Sequence, residues 1–231
     1  MRNTAALITI AFALVAVANA QQQPTVTEIT GEDELVKKKS GTWPEAWVHP
    51  DADISKYDKL YAWEPVFQFR DVEPTNATSI ALSRGNEEAY TIRPEDQETF
   101  EKVVTGAVVE ELGRSKTFEL VDTISPGTLI VRGLVLDIIS RVPPNATRRG
   151  NMHLTAVGEA TFIFELIDAE TGVIQARVGD RRLIQPPDRM FEVSTLPTNA
   201  STVWMDVERW ALDQARELRK ALDKAAKKAE R

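Results

Sequence analysis

The sequence predicts an α+β fold, with a largely antiparallel sheet of about four to five strands backed by two helices, in the order β-α-β-β-β-β-α. Three observations carry that prediction. Pro94–Gly113 and Thr202–Lys227 repeat apolar residues at helical spacing. Between them, segments with two-residue alternation or continuous apolar character are bounded by Gly, Pro, Asn or Asp. Asp168 to Gly172, "DAETG", turns two of those segments into a hairpin.

The chain opens with Met1-Arg2-Asn3, an apolar run from Ala5 to Val17 broken only by Thr9, and the small-x-small group Ala18-Asn19-Ala20. These are the parts of a cleaved secretory signal, residues 1–20. The run is shorter than the roughly 18 apolar residues of a spanning helix. The expectation is an exported chain, periplasmic or secreted, without a transmembrane segment after cleavage. Residues 21–50 read as an extended lead-in: Gln21 to Ser40 is polar and lacks apolar periodicity. "GTWPEAWVHP", Gly41 to Pro50, is too apolar for a free linker, and Trp43 and Trp47 are expected to pin it to the domain.

A single domain is expected from residue 51 to 231. "YDKLYAWEPVFQF" alternates as its first strand, and Pro65 marks an edge or a bulge. Asp71 to Tyr90 is polar and turn-rich, a loop. Pro94 then opens a helix with Glu95 and Asp96 in the first turn, where the dipole favours acids. Phe100, Val103, Val104, Ala107, Val108 and Leu112 form its core stripe, and Gly113 its C-terminal cap.

"TFELVD", Thr117 to Asp122, is a short strand. Thr128 to Val142 is apolar at both parities, as expected of a central strand covered on both faces. Pro143-Pro144-Asn145 ends it, and the loop beyond carries Arg148 and Arg149. The hairpin strands alternate through Phe162, Phe164 and Leu166, then through Ile174, Ala176 and Val178. After Pro186-Pro187 the last helix holds Val203, Trp204, Val207, Trp210, Ala211, Ala215, Leu218 and Leu222 on one face. Its basic end complements the helix dipole.

Composition narrows the chemistry. With no cysteine, disulfides, a thiol nucleophile, thiolate zinc and an acylated N-terminal cysteine are excluded, so no lipid anchor is expected. His49 and His153 are far apart and read as ordinary core or surface residues, so neither a metal nor a cofactor is expected. Loss of the signal removes Arg2 and no acid, taking the net charge from −7 to −8. An acidic exported chain is a poor nucleic-acid binder. The Asn-x-Ser/Thr sequences at Asn76, Asn145 and Asn199 would signal glycosylation only in a host that modifies this sequon in its secretory route.

The chain lacks a G-x-S-x-G elbow, a phosphate-binding glycine loop, H-E-x-x-H and an EF-hand loop. Carboxylate acid–base chemistry stays open, since any two acids can meet in a fold. Asp137 stands out inside an apolar strand, and the plainer reading is a strand residue that faces solvent or pairs with a neighbouring arginine. The candidate binding residues are Arg177, Asp180, Arg181 and Arg182, at the far end of the hairpin. Strand alternation puts Asp180 and Arg182 on one face and Arg181 on the other. Either an arginine pairs across strands with Glu159 or Glu165, or Arg177 and Arg181 offer donors to a carboxylate or phosphate, with Arg148 and Arg149.

"YDKLYAWEPVFQF", "VVEELGRSKTFELVD", "SPGTLIVRGLVLDI" and "GEATFIFELIDAETGVIQARVGDRR" occur in an order that resembles a bacterial envelope family known only as domain of unknown function thirty-three-thirteen. The likeness spans most of Gly41 to Ala225. P-G-T-L-x-V-R together with D-A-x-T-G carries it. The resemblance implies an envelope protein, in many members a lipoprotein, without an established activity. Here the signal ends without a following cysteine. The function expected is a non-catalytic periplasmic binding or accessory protein whose partner is another envelope protein or polymer. The alternatives are a carboxylate-dependent hydrolase acting on an envelope polymer, with Asp137 or Glu159 meeting a second acid, and a small-ligand carrier using Trp43, Trp47 and Trp63.

Overall fold

The computed structural model describes residues 34–72, 89–143, 154–185 and 198–229, with side chains to Lys227. The signal segment, the lead-in up to Asp33, most of the Asp71–Tyr90 loop with Asn76, the loop carrying Asn145, Arg148, Arg149 and His153, and Pro186-Pro187 lie outside the described residues.

Strands β1 (Val36–Lys37), β2 (Glu45–Val48) and β3 (Lys59–Phe69) precede helix α1 (Pro94–Leu112). Strands β4 (Glu119–Val121), β5 (Thr128–Ser140), β6 (Gly158–Asp168) and β7 (Ile174–Ile184) follow, and helix α2 (Ala200–Ala229) closes the fold. The described strands form one sheet in the order β1-β2-β7-β6-β5-β3-β4. The α+β class holds, while the strand count, pairing and order differ from expectation: seven strands, not four or five, in a mixed sheet. β3 runs parallel to both β4 and β5. That direction follows from α1, which serves as the crossover that parallel strands require.

The second difference lies in the lead-in. Glu45–Val48 pairs antiparallel with β7, and Val36–Lys37 pairs with β2. Trp43, beside β2, is 2% exposed and meets the Phe164 ring edge-on at 6.0 Å between centroids. These strands escape sequence patterning because they are short, and β2 lies between Pro44 and Pro50.

Both helices pack on one face of the sheet. The core joins Phe100, Val104 and Leu112 of α1 with Trp210, Ala215 and Leu218 of α2. Beneath them the sheet contributes Leu60, Leu129, Val131, Val135, Phe162 and Phe164. Phe100 contacts Phe67, Phe69 and Trp210, and Trp210 reaches Phe162, so aromatic rings bind β3, α1, α2 and β6 into one unit. Each buried aromatic adds about 0.5–1.5 kcal/mol per ring pair beyond its area burial. Gly113 sits at the end of α1 as expected, with ordinary right-handed geometry (φ −63°).

Asp168 locks the hairpin turn. Its carboxylate accepts the Tyr57 hydroxyl at 2.8 Å, Lys56 Nζ at 2.7 Å and the backbone N–H groups of Glu170 and Thr171 at 2.9 and 3.0 Å. The short turn Ile54–Lys56 before β3 is thereby tied to the "DAETG" loop. Burial alone would raise the Asp168 pKa, but these bonds outweigh it and hold the carboxyl well below the usual range. Burial and the Asp168 carboxylate push the Tyr57 hydroxyl up.

Candidate binding surface

The face of the sheet opposite the helices collects Arg177 and Arg181 of the sequence-selected residues, together with Asp137, Glu159 and Glu165. Residues of β6 that alternate with Phe162 and Phe164 point away from the core: Glu159, Thr161, Ile163 and Glu165. Their partners on β7 are Leu183, Arg181, Gly179 and Arg177. β5 contributes Arg132, Leu134 and Leu136 in the same register. The strand expected to be covered on both faces is so only at one end. There Ile130 packs with Ile167 and Ile174, and with Leu35, Tyr61 and Trp63 around them. Farther along, Arg132, Leu134 and Leu136 are half-exposed.

Register alone aligns one row across six strands. Lys37 stands beside Trp47, Trp47 beside Arg177, Arg177 beside Glu165, Glu165 beside Arg132 and Arg132 beside Trp63. Glu165 sits at its centre and accepts from both sides. Arg177 Nε donates to Oε1 at 2.8 Å and Arg132 Nε to Oε2 at 2.7 Å. Lys37 Nζ lies 5.3 Å from the centre of the Trp47 ring, a cation–π contact.

A second cluster lies toward the other end of the face. Arg181 donates to both Asp137 and Glu159, Arg70 grips Asp137 with two N–H groups, and Arg141 donates to Glu159 at 2.7 Å. Asp137 has φ +57°, a left-handed conformation that a non-glycine residue adopts at a cost. It sits where the β5 register slips against both β3 and β6. The extra residue of this bulge turns the Asp137 side chain toward Arg70 and Arg181.

The hydrogen bond from Arg70, followed by those from Arg181, keeps the Asp137 carboxyl below its ordinary pKa. Burial raises Glu159, but Arg141 and Arg181 more than reverse it, and the net shift is downward. Asp137 and Glu159 thus meet through Arg181 with both carboxylates held ionised.

Arg177 and Arg181 point to the helix-free face. Asp180 and Arg182 point to the helix side. There Arg182 donates to Asp180 at 2.6 Å and to Glu217 of α2 at 3.1 Å, and its guanidinium lies 5.8 Å from the Trp43 ring centre. The four residues do not converge. Cross-strand pairing with Glu159 and Glu165 was legible in the alternation. Arg70 and Arg132 were missed as members of this surface, since only the register of β3 and β5 brings them there.

Trp43 is a core residue, whereas Trp47 and Trp63 are half-buried on the helix-free face. His49 Nε2 lies 2.8 Å from Glu34 Oε2. A separate apolar cleft of about 930 Å³, open mouth included, lies between the starts of α1 and α2. Phe100, Ile139, Val203 and Trp204 line it. Among the described residues no helix is long and apolar enough to cross a membrane.

No protein-family model and no curated protein matches the chain. Among solved structures it is similar to the PelC dodecamer from Paraburkholderia phytofirmans, with 10% identity, 71% of this chain and 89% of that chain covered, and a TM-score of 0.36. It is also similar to protein XCC0632 from Xanthomonas campestris, described under the family label DUF330, with 9% identity, 79% and 93% covered, and a TM-score of 0.43. DUF330 is another domain of unknown function, and family thirty-three-thirteen stays a resemblance. At these identities and scores the likenesses assign no residue a role.

Proposed function

We propose that this chain is an exported, periplasmic, non-catalytic binding or accessory protein of the bacterial envelope. It engages another envelope component through the helix-free face of its sheet. One observation carries this reading: the two ion-pair clusters on that face join five arginines to three carboxylates, giving it a positive excess in a chain of net charge −7. The leader Met1–Ala20 supports export. Asp180 and Arg182 brace Trp43 and α2 and stand outside the binding surface. Arg177 and Arg181 belong to it.

The test is photocrosslinking in the producing bacterium, with the crosslinker at Thr161 on the helix-free face or at the exposed Glu208 on α2. The expected result is a processed protein in the periplasmic fraction, with a discrete adduct from Thr161 and none from Glu208. Retention in the cytoplasm, or equal adducts from both positions, would overturn the reading.

A further inference from the structure

The row Lys37–Trp47–Arg177–Glu165–Arg132–Trp63 has a chemistry more specific than positive charge. Neighbouring strands are spaced about 4.8 Å apart, so Trp47 on β2 and Trp63 on β3, four strands apart in the sheet order, stand roughly 19 Å from each other. Two arginines lie between them. Glu165 is 3% exposed and divides its oxygens between the two guanidiniums, which holds them at fixed separation along the row. Each of the two guanidiniums approaches Glu165 through Nε and Nη2, which fixes its orientation. The row is thus a preset spacing of ring, cation, cation, ring.

Backbone chemistry narrows the occupant. A peptide adding a strand would pair at the β1 edge or along β3 beyond Tyr61, where β4 ends, and not across this face. A ligand on the row is held by side chains alone. An indole face packs against the C–H face of a pyranose ring, and a guanidinium takes a carboxylate through two parallel bonds. Ile163, Leu134 and Val66 continue the apolar surface alongside the row. A chain of sugar rings bearing carboxylates meets all of these demands, and the positive excess of the face complements its charge.

We infer that the helix-free face binds an acidic polysaccharide, a polymer of uronic-acid type, laid across the strands from Trp47 to Trp63. This rests on the proposed binding role of the same face. The ring ends provide the sugar selectivity, and the arginines the charge selectivity.

The test is calorimetric titration of the full mature protein with polygalacturonate oligomers, beside neutral dextran and poly-L-glutamate of matched charge. Trp47→Leu and Trp63→Leu keep apolar packing while removing the ring face, and thermal melts check that both variants fold. Polygalacturonate should bind with salt-sensitive affinity, and each variant should weaken it at least about tenfold, or 1.4 kcal/mol. Poly-L-glutamate should bind less tightly and ignore both substitutions. Equal binding of the two polyanions with no dependence on the tryptophans would make an acidic polypeptide the ligand and overturn the inference. So would failure of polygalacturonate to bind the wild-type protein. If the Thr161 crosslinker still captures a discrete component in that case, the binding role survives and only the ligand class falls.

Discussion

Glu165 and Arg177 stand directly opposite each other on β6 and β7, with Nη2 2.6 Å from Oε1 of a carboxylate that is 3% exposed. Arg132 completes the arrangement from β5. Desolvation makes a buried ion pair a weak source of net stability, yet removing one partner is expensive.

Glu165→Leu should therefore lower unfolding stability by about 3 kcal/mol, because two clustered arginines lose their common counter-ion. Adding Arg132→Met and Arg177→Met should recover most of that loss by replacing the cluster with apolar packing. Urea unfolding of the single and triple variants checks both statements.

Asp137 separates backbone cost from side-chain gain. Asp137→Ala and Asp137→Gly both delete the bonds to Arg70 and Arg181, but only glycine accepts φ +57° freely. The glycine variant should be more stable than the alanine variant by about 1 kcal/mol. The same denaturation assay measures the difference.

Trp43→Ala should cost about 3–5 kcal/mol, the range for emptying a buried aromatic site. Removing the chain up to Pro50 should be worse, since β1 and β2 go with it. Circular dichroism melts of the substituted and shortened proteins report both.

Acid should destabilise the fold in a defined window. Asp168, Asp137 and Glu159 all have folded pKa values below their unfolded ones. Their contribution is complete above the unfolded values near 4 and is lost as pH falls through the folded values. Urea midpoints should fall below pH of about 4. Asp168→Asn should show a weaker dependence across the same window, since it no longer titrates.

Local patterning makes the hairpin, both helices and the alternation at Asp180-Arg181-Arg182 readable from the amino-acid sequence. Those features rest on turn chemistry and periodicity within one segment. The parallel direction of β3 is not readable that way, because it depends on which strand β3 meets after α1. Val36–Lys37 and Glu45–Val48 are too short to show a period, and only their pairing partners make them strands. The row from Lys37 to Trp63 draws one residue from each of six strands, so no local window contains it. Pro65 is informative. β4 pairs with β3 only as far as Tyr61, and the β3–β5 register slips between Trp63 and Val66. Both the edge and the bulge it signals are present among the described residues.

The pairing of β2 with β7 also bears on how the molecule is born. Trp43 is made early, but its ring partner Phe164 and the strand that flanks it come late in synthesis. Long sequence separation between contacts slows folding. In a chain threaded across a membrane N-terminus first, Trp43 and the naked edge of β2 would wait in the new compartment until the hairpin emerged. Such an interval would call for holding chaperones, and it makes Trp43 and β2 late to find their place.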